Sequence, residues 1–242
     1  LMAVQALPGV AHPTGYPLFT WLGFLVQKLF FFVQPMWVSH GLNVACALLG
    51  SLVLQRFVLS WPKLNNPWIA AGAALTFSLS LRYWEQATAV EVHALQMLLL
   101  ALWMWRLLEA WNHGQKRNWI WLGLITGLVF SNHLISIVLL PGLAYVWFVA
   151  HKDWKGRWRS FQSLVGPAVL IPIALYGSMM ALASSDPLVN WGDPSDWDRF
   201  YRHVSGWQYR VWMFGEEGAL GQQMRLFLRG LPIDLGLGLL FS

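Results

Sequence analysis

Charge is what this chain has least of. Asp, Glu, Lys and Arg together make up 11% of its 242 residues, against about a quarter in a soluble domain. So little polar surface cannot clothe a compact water-soluble fold, which excludes an ordinary soluble enzyme or binding module. Cysteine is nearly absent: Cys46 stands alone inside an apolar run, so there is no disulfide framework and the redox compartment stays open. The signatures of nucleotide and metal sites are missing as well. The sequence holds no Walker loop, no Gly-x-Gly-x-x-Gly, no His-Glu-x-x-His and no Cys/His ligand spacing. No cofactor and no metal is expected. No internal repeat, low-complexity tract or soluble domain breaks the chain, so 1–242 reads as one transmembrane domain, and no signal-peptide pattern opens it.

What is present is apolar and aromatic: 57% of residues are hydrophobic and 17 are Trp. The expected fold class is all-α, a polytopic transmembrane helical bundle. Apolar runs suggest about six complete spans, at 38–55, 68–81, 90–108, 119–130, 134–150 and 164–183, with a truncated last span starting near Leu231. Several are shorter than the ~20 residues a straight span needs. Trp37, Trp61, Trp68, Trp84, Trp111 and Trp119 stand where interfacial anchors are required. The net charge of +5 does not indicate nucleic acid, because the basic residues fall in short clusters between apolar runs, as in cytoplasmic loops.

Those clusters orient the chain. His151 to Arg159, including Lys152, Lys155 and Arg157, forms one and Lys116-Arg117 another, and both are assigned to the inner side. Counting outward puts 82–89, 131–133 and the long stretch 184–229 outside. A full crossing at 18–33 would carry His12 inward. Lys28 in the body of that run and Gln34-Pro35 after it suit a re-entrant or interfacial helix, which keeps His12 outside.

The chain is organised around Gly9-Val10-Ala11-His12-Pro13-Thr14-Gly15-Tyr16-Pro17. Pro13 and Pro17 push the residues before them out of the α region, and Gly15 accepts almost any backbone angle. A helix therefore begins at about Pro17. By itself this describes a loop entering a membrane helix. The segment also resembles the His-Pro-Pro-Gly-Tyr-Pro-Leu signature of a membrane family related to the protein O-mannosyltransferases, in the GT-C superfamily of lipid-phosphate-sugar-dependent glycosyltransferases. The resemblance implies a GT-C-like bundle, with 12–34 as an outer-loop motif and interfacial helix, and His12 and Tyr16 lining a sugar-transfer site. It also implies a catalytic Asp in an acidic motif upstream of Leu1, so the chain reads as a fragment.

Three further stretches carry candidate chemistry, all assigned to the same outer face. In Arg82 to His93, Arg82, Glu85, Glu91 and His93 stand at the mouth of a span, where charge is costly in lipid and faces a cavity or a partner. Two readings of Glu91 stand side by side. Thr88-x-x-Glu91 matches a capping box, while Glu-Val-His-Ala-Leu resembles the family's Glu-Val-Tyr-Ala-Leu, whose Glu faces the site. Asn132 and His133 form a polar interruption that is either a hairpin turn or, by resemblance, a place for the donor phosphate with Arg82 adding charge. Trp191 and Asp193, followed by Trp207-Gln208-Tyr209-Arg210, are either turn residues or a surface for stacking and hydrogen-bonding a sugar. Asn43 matches a family Asn but equally suits an interhelical hydrogen bond.

The resemblance implies transfer of a sugar, such as mannose, from a polyprenyl-phosphate-linked donor to a protein or glycan acceptor, with membrane lipids around the site and no nucleic-acid partner. Glu91 and His12 are then the catalytic candidates; Tyr16, Arg82, Glu85, His93, Asn132, His133, Trp191 and Asp193 are the substrate-binding ones. The competing class is a transporter or flippase for a lipid-linked or small solute, using the same outer cavity without covalent chemistry. A structural membrane subunit is a third; its outer polar residues would pair privately.

Overall fold

The structure, a computed structural model, describes residues 1–151, 153–211 and 219–234. Lys152 of the basic cluster, and most of the span expected from Leu231, lie outside the described residues. Among the described residues all regular structure is helical, with a single isolated bridge between Val10 and Asn190. The helices are α1 (Met2–Ala6), α2 (Pro17–Leu29), α3 (Pro35–Leu59), α4 (Pro67–Ser78), α5 (Leu81–Thr88), α6 (His93–His113), α7 (Lys116–Asn132), α8 (Leu140–Ala150), α9 (Trp154–Ala183), α10 (Trp197–Val204) and α11 (Ala219–Asp234). Short 3-10 segments, Leu134–Leu139 and Trp207–Val211, follow α7 and α10.

Local chemistry explains where these helices start. Pro17, Pro35 and Pro67 open α2, α3 and α4, a position where the missing N–H costs nothing. Asn66, Ser80, Asp153 and Asp196 cap α4, α5, α9 and α10 by accepting from backbone N–H groups. Gly114, at φ +59°, ends α6 in the left-handed region.

Among the described residues three helices are long and apolar enough to cross a membrane: α3 with 25 residues, α6 with 21 and α9 with 30. The other runs expected as spans form shorter helices. The 68–81 run is divided: α4 stops at Ser78 after 12 residues, and Ser80 starts α5. The 119–130 run lies within the 17-residue α7, and the 134–150 run is split between the 3-10 segment and α8. With 13 residues α2 spans about 20 Å, short of the ~30 Å hydrocarbon core.

The bundle closes around α7. Gly123 and Gly127, four residues apart, bring it against α9 so tightly that a Cβ on Gly123 would lie 2.3 Å from the Leu164 carbonyl oxygen, and one on Gly127 2.8 Å from that of Pro167. Small residues at this spacing let helix backbones touch where lipid gives no hydrophobic drive. Trp119, Leu122 and Val129 of α7 are fully buried in the core, and Trp103 of α6 donates to Thr126 Oγ1 at 3.1 Å. A buried polar chain ties the first three helices together. Gln27 donates to Ser39 Oγ, which donates to Gln5 Oε1 at 2.7 Å, while Gln5 reaches the Phe19 carbonyl.

Helix directions sort the chemistry by end. Lys116 starts α7, His151 follows α8 and Lys155 begins α9, and the His151 ring lies 5.5 Å from that of Trp119. The basic clusters therefore share one end of the bundle. His93 at the start of α6 and His133 at the end of α7 lie at the other, about 25 Å away along α7.

Candidate functional site

The organising loop is held by backbone contacts. Val10 N–H donates to the Val189 carbonyl at 2.7 Å, and Trp191 N–H donates back to Val10. Residues 9–11 and 189–191 thus lie side by side. Gly15 has φ +92°, and a Cβ there would lie 2.4 Å from Met179 Sδ. Tyr16 follows at φ +44°, an uncommon angle for a bulky side chain; strain of this kind persists where surrounding contacts fix it. Those contacts converge on the Pro13 carbonyl, which accepts from the Tyr16 hydroxyl at 3.4 Å, the Tyr209 hydroxyl at 3.2 Å and His12 Nδ1 at 3.0 Å.

Out of this loop runs a chain of rings. His12 meets Tyr16 edge-on with centroids 5.1 Å apart and lies 6.3 Å from Trp191. Tyr16 lies 5.4 Å from His133, which stacks on His93 at 5.8 Å. Five of the residues singled out from the sequence, from four separate segments, thus meet at the end of the bundle remote from the basic clusters. Tyr16 is buried, while His12, His93 and His133 are half-buried and Trp191 is exposed.

Hydrogen bonds assign the protons on two of these rings. A carbonyl oxygen only accepts, so His12 Nδ1 carries the proton toward Pro13, and Nε2 of the neutral ring holds a lone pair. His133 is the reverse: its Nδ1 accepts from the Ile135 N–H at 3.4 Å, so Nε2 carries the proton and is a donor. Burial, then the neighbouring His93, lowers the His133 pKa and keeps the ring neutral. Burial, followed by Tyr209 and Glu91, pushes the Tyr16 hydroxyl up to about 12.

That last influence places Glu91 within electrostatic reach of the cluster. Glu91 is half-buried, in the turn between α5 and α6. The capping-box alternative fails: Thr88 belongs to α5 and turns its hydroxyl back to the Trp84 and Glu85 carbonyls, and α6 begins after Val92 without a side-chain cap. Asn43 of α3 secures the turn instead, donating to the Ala89 carbonyl and, at 3.0 Å, to that of Glu91.

Other candidates lie differently. Asn132 is fully buried and donates to the Val92 carbonyl at 3.1 Å and to Gln96 Oε1 at 2.8 Å, and Gln96 passes the chain on to Ser136. It joins α7 to the start of α6 beneath the rings. Arg82 and Glu85 pair with each other at 3.3 Å on the exposed face of α5. Asp193, at φ +40°, accepts from Asn190 and pairs with Arg199. Gln96 and His203 were not singled out from the sequence; Gln96 is a polar residue between apolar neighbours, and His203 follows Arg202 in a polar stretch. Among the described residues no group of three or more His, Cys, Asp or Glu is arranged to hold a metal ion.

Between α7, α8 and α9 lies a cavity of about 590 Å³ whose lining is apolar apart from Thr126. It runs past Leu143, Trp147 and Leu164, and Phe130 at its wall precedes His133 by three residues.

An all-helical bundle with membrane-length apolar helices and polar rings gathered at one end defines an integral membrane protein. A family model described as the protein O-mannosyl-transferase TMEM260 N-terminal domain matches residues 1–156, and the chain belongs to that family. It is 22% identical over 270 residues to protein O-mannosyl-transferase tmem260 of Dictyostelium discoideum, covering 100% of this chain and 32% of that protein. To the Mus musculus protein O-mannosyl-transferase TMEM260 it is 28% identical over 215 residues, covering 83% and 29%. The chain thus spans about a third of the length of these curated relatives. No solved structure matches it.

Proposed function

We propose that the protein is a membrane mannosyltransferase of GT-C type that moves mannose from a polyprenyl-phosphate donor to an acceptor hydroxyl on the extracytoplasmic side. The observation that carries this reading is the meeting of the Gly-Tyr-Pro loop with His133, in a chain whose relatives are named protein O-mannosyl-transferases. The basic clusters gathered at the far end favour an outward-facing site. The apolar cavity between α7, α8 and α9 supports a lipid-linked donor, whose chain would lie among Leu143, Trp147 and Leu164 while its phosphate meets the polar rings.

In this reading the acceptor oxygen bonds the anomeric carbon as the carbon–oxygen bond to phosphate breaks. The electron pair leaves on the phosphate, and the hydroxyl proton passes to a carboxylate. Within this chain Glu91 is the carboxylate for that role. His12, with its Nε2 lone pair, accepts from a neighbouring hydroxyl of the bound sugar, and the His133 Nε2–H donates to the departing phosphate oxygen. Tyr16 stays protonated and holds the two imidazoles at a fixed separation. Trp191 and His93 complete the binding surface. The test is transfer of labelled mannose to a Ser/Thr peptide in membranes containing the protein, with polyprenyl-phosphate mannose and GDP-mannose compared as donors. Transfer from the lipid donor alone is expected; movement of the lipid without transfer would replace this reading with a flippase.

A further inference from the structure

Gln96 stands three residues after His93 on α6, between Leu95 and Met97, and is buried. Both polar atoms of its amide are used, and both reach across to the segment that carries His133. Oε1 accepts from Asn132 Nδ2 at 2.8 Å, and Nε2 donates to Ser136 Oγ at 2.7 Å. Asn132 and Ser136 are buried as well. They flank His133, the first ending α7 and the second lying in the 3-10 segment that follows. Asn132 also donates to the Val92 carbonyl at 3.1 Å, so the two α6 residues that it grips, Val92 and Gln96, flank His93 in turn.

We propose that Gln96 is a positioning residue: its amide clamps both flanks of His133 against α6 and so sets the His133 ring on that of His93.

The rings alone do not fix their own geometry. They stack with centroids 5.8 Å apart and 29° between their planes, a contact without the directionality of a hydrogen bond. The backbone at His133 is extended, at φ −152° and ψ 113°, so the residue has left the helix that precedes it. What holds it is the turn that follows: the Ser136 N–H donates to the His133 carbonyl at 3.1 Å, and the Ile135 N–H to Nδ1 at 3.4 Å. Gln96 secures that turn through the Ser136 hydroxyl and secures the end of α7 through Asn132. Leucine at 96 would fill the same space. A buried amide in a helix of membrane length has no water to turn to, and a satisfied polar network selects one arrangement where apolar contact would allow several. The consequence for catalysis rests on the transferase reading above; the placement of the rings does not. In that reading the His133 Nε2–H meets charge that develops on the phosphate oxygen only as the bond breaks, so a misplaced ring lowers kcat more than it raises KM.

The test combines solid-state NMR of the full chain in lipid membranes, with isotope-labelled histidine, and the kinetics of mannose transfer. A ring-to-ring cross-peak between His93 and His133 is expected in the parent. It should be lost in Gln96→Leu, which keeps the bulk and removes both bonds. In Ser136→Ala, a milder change that cuts one bond and decides the matter if Gln96→Leu does not fold, it should weaken. The kcat of transfer should fall by about tenfold or more in Gln96→Leu and by about threefold in Ser136→Ala, with KM within about twofold of the parent. The double variant should be no slower than Gln96→Leu, because Ser136 acts through the same amide. Ser131→Ala removes a buried hydroxyl that bonds within its own helix, to the Gly127 carbonyl at 2.8 Å, and should leave cross-peak and kcat unchanged. The proposal is overturned by a missing cross-peak in the parent, by one that survives undiminished in both clamp variants, by multiplying losses in the double variant, or by an equal loss in Ser131→Ala. A cross-peak that follows the clamp variants while transfer stays unchanged, or is absent even from the parent, would count against the transferase reading alone.

Discussion

The Tyr16 ring lies 5.4 Å from the His133 ring, tilted by 55°, joining the loop before α2 to the end of α7. Tyr16 sits at φ +44°, so the contact holds a strained residue as well as an imidazole. Removing the ring is expected to cost about 3–5 kcal/mol in Tyr16→Ala. Tyr16→Phe loses only a 3.4 Å hydrogen bond and should cost about 1 kcal/mol or less. Thermal melting of the two variants in detergent checks the ordering.

Asn43 is fully buried, and its amide satisfies the Ala89 and Glu91 carbonyls. Asn43→Ala removes the side-chain donor from the Glu91 carbonyl and leaves that of Ala89 only the Glu91 N–H, and is expected to destabilise the protein by about 1–3 kcal/mol. It should also lower mannose transfer more than substrate affinity, because it loosens the turn that carries Glu91. Comparing kcat with KM separates the two effects.

Much of this arrangement can be read from residue order. Proline marked the start of α2, and His12, Tyr16, His93, His133 and Trp191 stand out in the sequence as polar or aromatic residues at the ends of apolar runs. Their stacking partners do not. The His133–His93 pair depends on how α7 registers against α6, which is set by buried bonds from Asn132 to Gln96 and Val92. Thr88-x-x-Glu91 has the spacing of a cap, yet a Thr hydroxyl also bonds back to carbonyls three or four residues earlier, and here it does. Hydropathy ran through Ser78-Leu79-Ser80, where the hydroxyl of Ser80 starts a new helix. Gly123 and Gly127 carried a legible helix-packing spacing whose partner, α9, only the fold reveals.

Gly123→Ala should be far more damaging than its size suggests. The obstacle is the Leu164 backbone carbonyl, which cannot rotate away, so about 1–3 kcal/mol of destabilisation is expected. Gly41 in α3 has nothing within 4 Å of its Cβ position, and Gly41→Ala should leave the melting temperature unchanged or raise it slightly.

The buried His203 predicts an acid-sensitive fold. Its folded pKa is about 4, below the ~6.5 of an unfolded histidine. Between these values the unfolded chain binds the extra proton, so stability rises with pH through this window. The contribution is fully present above about pH 6.5 and is lost progressively toward pH 4, by about 3 kcal/mol in all. Melting temperatures across this range should slope more gently in His203→Gln than in the parent.

The most direct measurement is the rate of mannose transfer from polyprenyl-phosphate mannose by Glu91→Gln, at matched protein level and melting temperature. Gln keeps the shape of the side chain and removes the charge, while the backbone bond from Asn43 survives. Loss of the proton acceptor should slow transfer by about a hundredfold or more. Transfer at the parent rate would contradict the assignment of the carboxylate and, with it, the site described above.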